Sequence, residues 1–315
     1  MTAPVEAFMP PRGMATPHLQ TILSSLGRKL WPARAHQSFH QASERQIVEV
    51  QGVKLAVDLN LRQQRPLVMI IPGWLGHSQS SYALAVGHAL YDAGFSVARF
   101  NLRDHGDTAH LNEGMFNSAL IDEVVALTLE VNSRFGHGAS GLLGFSLGGN
   151  FALRVARALP QLTTLAVCPA IAPADTMHNI DRNPVYQRYF VRKWRKVWLE
   201  KQRAFPHAYE FGDSLALTTV SALTDYFVKY HSHFASTAEY FAAYDLSAEA
   251  LSGVDAHILA AADDPIIPYT QYQSLPPSVN LHMTPQGGHH AYLQSWALTS
   301  WFDDYAKHYF LAKLI

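Results

Sequence analysis

From Leu67 to Val167 the chain repeats one unit: a short apolar run, then a longer stretch with helical periodicity. Leu67-Val68-Met69-Ile70-Ile71 has no polar position, which suits a strand buried on both faces. A helix is predicted over Ser80–Ala93, a strand over Phe95–Phe100 and a helix over Leu120–Phe135. Strand Gly141–Phe145, helix Leu147–Leu159 and strand Leu162–Val167 follow. The rhythm returns with strand Ala256–Ala261, a short helix at Tyr269–Ser274, strand Val279–Met283 and a long amphipathic helix over Ala291–Leu311. Such alternation predicts an α/β fold: a mostly parallel sheet, helices on both faces, right-handed crossovers. Ahead of it, Gln46–Val50 and Val53–Leu59 read as a hairpin about Gln51-Gly52. Residues 1–40, broken by Pro4, Pro10, Pro11, Pro17 and Pro32, read as an irregular lead-in.

The alternation stops between about Ala170 and Val254. That segment is too long for a plain loop and is helical and aromatic in character. It is expected as a helical cap, residues 170–254, inserted into a single domain spanning 1–315. Within it Phe190, Trp194, Val197 and Trp198 recur at helical spacing, with Arg188, Arg192 and Arg195 on the other side. This spacing reads first as a cap helix with its aromatics on the core or over the site; the alternative is a basic surface making weak contact with a membrane or guiding an anionic substrate. Tyr226, Phe227, Tyr230, Phe234, Tyr240 and Phe241 form a second aromatic cluster, suited equally to a lid over an acyl chain and to a plain core.

Composition closes off other classes. At 48% apolar and 16% charged residues the chain is globular rather than disordered. Lys+Arg 24 against Asp+Glu 25 gives a net charge of −1, so no global basic field exists for nucleic acid and no such partner is expected. No apolar stretch approaches the roughly 18 residues of a membrane span. Residues 1–31 lack a continuous apolar signal core, which makes the cytoplasm the expected location. The lone cysteine, Cys168, excludes an intramolecular disulfide framework and a Cys-rich zinc site, and reads as a small buried apolar residue. Around His231-x-His233 and His289-His290 no carboxylate or cysteine spacing completes a metal site, so neither metal nor cofactor is expected.

One motif carries chemistry. Gly144-Phe145-Ser146-Leu147-Gly148 matches Gly-x-Ser-x-Gly, with an apolar strand running into it. Leu147, Phe151, Val155 and Leu159 mark one face of a helix running out. A nucleophile elbow needs that strand–turn–helix, and side chains at Gly144 and Gly148 would collide in so tight a turn. A serine hydroxyl at neutral pH needs a base in reach and a group that orients the base. In this architecture the order is Ser, acid, His, and the acid and the base both follow strands. Asp264, directly before Pro265 and the apolar pair Ile266-Ile267, is chosen as the acid, leaving Asp263 to a turn or cap. His289, directly after Gly287-Gly288, is chosen over His290 as the base. The oxyanion donors are expected to be the backbone N–H of Leu147, at a helix start, and that of Trp74, in the Pro72–Gly76 loop. Gly73 and Phe145 are placed at the substrate.

Taken together these residues resemble the α/β-hydrolase superfamily, and within it the YheT-like group related to the abhydrolase-domain esterases. The likeness runs over nearly the whole chain. It includes His18-Leu19-Gln20-Thr21-Ile22, Gly73 to Tyr82, Asn101-Leu102-Arg103, the serine turn, Asp263-Asp264-Pro265 and Gly287-Gly288-His289. It implies Ser146 as nucleophile, Asp264 as acid and His289 as base, and hydrolysis of short- or medium-chain esters, with some relatives acting on lipids. Three departures change the polar lining of the pocket, and with it the substrate. Pro72-Gly73 stands where the family has His-Gly, Leu75 where it often has an acid, and Arg103-Asp104 where it tends to Arg-Gly.

The expected activity is therefore that of a carboxylesterase acting on a small-molecule ester through an acyl-enzyme. Two rivals remain: a lipid-directed hydrolase or acyltransferase on the same residues, and a non-catalytic protein holding an apolar ligand in the capped pocket. The intact Ser, Asp, His order favours the enzyme.

Overall fold

The computed structural model describes residues 6–27, 36–247 and 249–315; Pro4 and Pro32 of the lead-in lie outside them. Helix α1 (Pro17–Ile22) starts on proline, tolerated there because the first N–H of a helix has no partner to lose. It runs on into a π-turn, Leu23–Gly27. A short α2 (Gln37–Gln41) leads to the hairpin of β1 (Glu44–Val50) and β2 (Val53–Asn60). These pair antiparallel from Glu44↔Leu59 to Val50↔Val53. Gln51 and Gly52 both take positive φ, at 50° and 76°, as a primed two-residue turn requires.

The parallel part of the sheet is β3 (Leu67–Ile71), β4 (Ser96–Phe100), β5 (Gly141–Phe145), β6 (Thr163–Val167), β7 (Ala256–Ala261) and β8 (Val279–Thr284). The strand order is β1-β2-β4-β3-β5-β6-β7-β8, with β2 antiparallel to β4. Every residue of β3, β4 and β5 is buried, which explains why these runs carry no polar alternation. Their side chains divide between two cores. Leu67, Met69, Ile71 and Leu142 join α4 (Ile121–Phe135) and α5 (Leu147–Ala158) on one face. Val68, Ile70, Leu143 and Phe145 join α3 (Ser81–Asp92) and α10 (Trp301–Leu314) on the other.

Between β6 and β7 lies a helical segment. It comprises α6 (Pro173–Arg182), α7 (Pro184–Ala204), a 3-10 turn at Gly212–Ala216, α8 (Val220–His231) and α9 (Thr237–Ala242). Three of its helices start on side-chain caps: Asn183 accepts from the Val185 N–H, Thr219 from Ala222 and Ser236 from Glu239, while α6 starts on Pro173. Inside it Trp198 stacks on Phe211 with centroids 4.9 Å apart. Lys201 ties α7 to the loop after β4. Its ammonium donates to Asp104 Oδ1 at 2.8 Å and to the carbonyls of Ala109, Asn112 and Gly114. Among the described residues no helix is long and apolar enough to cross a membrane.

Three sequence expectations need correction. The lead-in is not irregular throughout: Pro17 heads a helix, as proline can, and residues 17–27 are helical. The helix predicted from Ala291 begins only at Trp301. Residues 291–300 instead form a loop closed by a Leu293–Ser300 bridge, with Tyr292 and Leu298 at positive φ. Its apolar spacing comes from Ala291, Tyr292 and Leu293 turning into the protein, each fully buried, rather than from one helix face. The short helix at Tyr269–Ser274 is a single 3-10 turn, Tyr269–Tyr272.

Candidate active site

β5 delivers Ser146 into a backbone conformation that ordinary residues avoid, φ 53° and ψ −118°. The turn is held because Ser146 N–H donates to the Val167 carbonyl at 2.9 Å, across to the neighbouring strand. The flanking glycines are obligatory. A Cβ on Gly144 would lie 2.1 Å from the Gly148 carbonyl oxygen, and one on Gly148 would lie 2.2 Å from that of Ile71. Both contacts are with backbone, which cannot swing aside.

β7 and β8 bring the other two groups. Asp264 Oδ1 accepts from the N–H groups of Ile266 and Ile267, at 2.8 and 3.0 Å. Its Oδ2 lies 2.8 Å from His289 Nδ1. His289 Nε2 stands 2.9 Å from Ser146 Oγ. The carboxylate and the imidazole are both buried. Asp263 takes a different position: its Oδ1 accepts the Gly288 N–H at 2.9 Å and so holds the turn ahead of the histidine. His290 packs its ring on Tyr82 and Phe145 and lies beside His289, centroids 4.5 Å apart, also lining the cavity.

The third element is the loop after β3. Gly76 N–H donates to the Gly73 carbonyl at 2.9 Å, closing a tight turn with Leu75 at φ 58°. Trp74 is the second residue of that turn, so its N–H lies outside the turn's own hydrogen bond. Leu147 is the first residue of α5, where an N–H has no intrahelical acceptor and carries the helix's partial positive charge. Gly73 presses on the serine, its missing Cβ position 3.2 Å from Ser146 Cβ. Its own N–H donates to the Tyr82 hydroxyl at 3.0 Å.

These groups line a cavity of about 860 Å³ whose opposite wall comes from the helical segment, with Met177, Phe190, Trp194, Phe227 and Tyr240 among its residues. The Trp74 ring stacks on Phe190, centroids 5.3 Å apart, and meets Trp194 edge-on at 5.0 Å. Phe145, expected at the substrate, does not line this cavity. Strand alternation points its ring to the other face, where it is fully buried against Tyr82 and Phe302. Of the second aromatic cluster, Phe227 and Tyr240 reach the cavity, whereas Tyr230 is an exposed surface residue.

A hydroxyl bonded to an imidazole, itself bonded to a buried carboxylate, can lose its proton as it attacks an electrophile. Cys168 at the end of β6 lies near enough to Asp264 and His289 for the three to surround an ion, their ligand atoms all within 4.8 Å. Burial, reinforced by the Asp264 charge, pushes the thiol far above its ordinary pKa. It stays protonated and is a poor ligand, and both Asp264 oxygens are already engaged.

Several residues around the site carry no chemical signature in the sequence. Thr21 Oγ1 accepts the His289 backbone N–H at 3.0 Å. Gln20, fully buried, accepts the Leu293 N–H and donates to the carbonyls of Leu293 and Met14. The string His18–Ile22, noted only as a likeness, is thus the brace of the histidine loop. Tyr82 entered only as the end of the Gly73–Tyr82 likeness, and Lys193 was unmarked. Lys193, which burial brings down to a pKa of about 8, donates to the Leu75 carbonyl at 2.9 Å and lines the cavity.

The comparisons agree with this architecture. A family model described as "Alpha/beta hydrolase family" matches residues 67–303. An Escherichia coli (strain K12) protein named "Putative esterase YheT" is 23% identical over 327 aligned positions, covering 97% of this chain and 94% of that one. Among solved structures, the Pyrococcus furiosus esterase Pf2001 superposes with a TM-score of 0.59 at 14% identity, covering 99% of this chain and 100% of that one. The serine hydrolase CCSP0084 of Cycloclasticus zankles also gives 0.59 at 14% identity, over 86% and 98% of the two chains. A Xanthomonas campestris protein described as an a/b serine hydrolase without lid gives 0.51 at 15%, over 86% and 95%.

Proposed function

Because the chain belongs to the alpha/beta hydrolase family, we propose that it is a serine esterase that cleaves carboxylic esters through an acyl-enzyme on Ser146. The observation that carries this reading is the unbroken relay from Ser146 Oγ through His289 to Asp264, at 2.9 and 2.8 Å. Ser146 attacks the ester carbonyl. His289 Nε2 takes its proton and gives it to the leaving alcohol. Asp264 holds Nδ1–H, fixing the tautomer and stabilising the imidazolium. The N–H groups of Trp74 and Leu147 receive the developing oxyanion. Water activated by His289 then frees the acid and restores the serine, with no cofactor taking part.

Residues 170–254 act as a cap on a single hydrolase domain, and the aromatic wall of the cavity supports a medium-length acyl chain over a very short one. The reading puts the protein in the cytoplasm, acting on a small ester and not on nucleic acid.

The test is intact mass after exposure to a fluorophosphonate, with Ser146→Ala alongside. One adduct on the natural chain and none on the variant is expected, together with a loss of p-nitrophenyl ester turnover of about 10⁴-fold or more. Undiminished turnover by a folded Ser146→Ala protein would overturn the assignment.

A further inference from the structure

Two lysines of α7 are built in opposite ways. Lys201 is fully buried and spends its charge on a carboxylate and three carbonyls. Lys193, two turns earlier, makes one hydrogen bond among the described residues, to the Leu75 carbonyl, and meets the Tyr189 ring at 5.1 Å. An ammonium has three donors, and among the described residues Lys193 has no carboxylate within ion-pair distance. The acids that line the same cavity are committed elsewhere: Glu200 to Lys196 at 3.5 Å, Asp107 to Arg45 at 2.9 Å. A partly buried charge with one neutral partner costs stability and needs a compensating gain.

Its surroundings repeat the sign. α7 carries Arg188, Arg192, Lys193, Arg195 and Lys196 before its first acid, Glu200, in a chain whose net charge is −1. Lys193 also bonds the carbonyl of the residue after Trp74, so an anion held there lies beside the loop assigned to the oxyanion.

Resting on the esterase reading above, we propose that Lys193 anchors an anionic group of the substrate. The substrate is then an ester bearing a carboxylate or phosphate on its acyl or alcohol part. The free N–H groups of Lys193 receive that anion while the ester carbonyl sits at Ser146, and the basic face of α7 draws the substrate to the cavity.

The test uses three p-nitrophenyl esters of equal length, ending in a free carboxylate, a phosphate or a methyl-capped neutral group. The readout is the ratio of anionic to neutral kcat/KM. We expect the natural chain to favour an anionic ester by about 10-fold or more, and Lys193→Met to cut that ratio by about 10- to 100-fold, mainly through KM. Lys193→Arg keeps the charge and restores part of the ratio. Which anion wins tells carboxylate from phosphate. A ratio near one in the natural chain, or a parallel fall on all esters in folded Lys193→Met, overturns the proposal. The latter would leave Lys193 as a brace for Leu75. Stimulation by phosphatidylserine vesicles without any preference among soluble esters also overturns it, and assigns the basic face to a membrane. If no ester turns over and Ser146 takes no fluorophosphonate, the esterase reading fails and this proposal with it. Labelled Ser146 with a flat ratio sinks this proposal alone.

Discussion

On the sheet side of the cavity the decisive groups are backbone. Ser146 at φ 53°, Leu75 at φ 58°, and the two glycines that a Cβ would jam all concern where the main chain can go. On the helical side they are side chains: Phe190 and Trp194, which pack on the Trp74 ring, the Lys193 ammonium and the buried Lys201. Backbone geometry admits few solutions, so the sheet side leaves little room for substitution. Rings and ammonium groups can be exchanged without moving the elbow. On the proposed reading, chemistry belongs to the first region and choice of substrate to the second. If that division holds, changes below the cavity strike kcat and changes above it strike KM or stability.

The largest effect outside the nucleophile should come from Asp264→Asn. The amide oxygen can keep the Ile266 and Ile267 N–H bonds, so the loop survives. The amide NH₂ then faces His289 Nδ1 and forces the proton onto Nε2, where it can no longer accept from Ser146. A loss of about 10⁴ in kcat with little change in KM is expected from steady-state kinetics. Asp263→Asn is the control. It can still accept the Gly288 N–H, and a loss comparable to that of Asp264→Asn would break the assignment of roles.

The same division explains what could be read from the sequence. Buried parallel strands announce themselves as unbroken apolar runs, and the serine turn as glycines between a strand and a helix, so the sheet and the Ser146 elbow were legible. Asp264 and His289 were reachable because both follow strands. The 291–300 loop was misread because buried Ala291 and Leu298, seven apart, stand in helical phase with Trp301 and Phe302, although the helix begins only at Trp301. Phe145 was misplaced at the substrate because closeness in sequence to Ser146 ignores the alternation of a strand. Gln20 and Thr21 act through bonds to residues 273 and 268 positions away, and nothing local in their composition says so.

A smaller effect, and one that belongs to the helical side, is expected from Lys201→Met. The variant leaves the Asp104 carboxylate buried, with the Phe116 N–H as its remaining hydrogen-bond donor among the described residues and only the nearby Arg103 charge to oppose it. Burial already pulls the Lys201 pKa down and pushes that of Asp104 up, each opposed by the other's charge. Removing one member of such a pair should cost about 3–5 kcal/mol, read from urea unfolding midpoints. Asp104→Asn/Lys201→Met should recover part of that loss. If Lys201→Met lowered kcat with stability intact, the helical segment would be part of the chemistry after all.

The smallest effect tests whether the sheet side is as backbone-determined as it looks. The Tyr82 hydroxyl accepts the Gly73 N–H and fills the hollow of the 73–76 turn, where a Cβ on Gly76 would lie 2.3 Å from it. Desolvation raises its pKa to about 12, so it stays a neutral phenol throughout the working range. Tyr82→Phe keeps the ring packing on Phe145 and His290 but leaves the Gly73 N–H without its acceptor. The turn that presents the Trp74 N–H should loosen. Deleting an oxyanion donor costs ~10²–10³ in kcat, so disturbing one at second hand should cost about 10-fold or less. The loss should fall on kcat equally for anionic and neutral esters, because Tyr82 serves the carbonyl and not the distal end of the substrate. A loss that appeared in KM and differed between those esters would place Tyr82 with Lys193, and the boundary between the two regions would have to be redrawn through the Gly73–Gly76 turn.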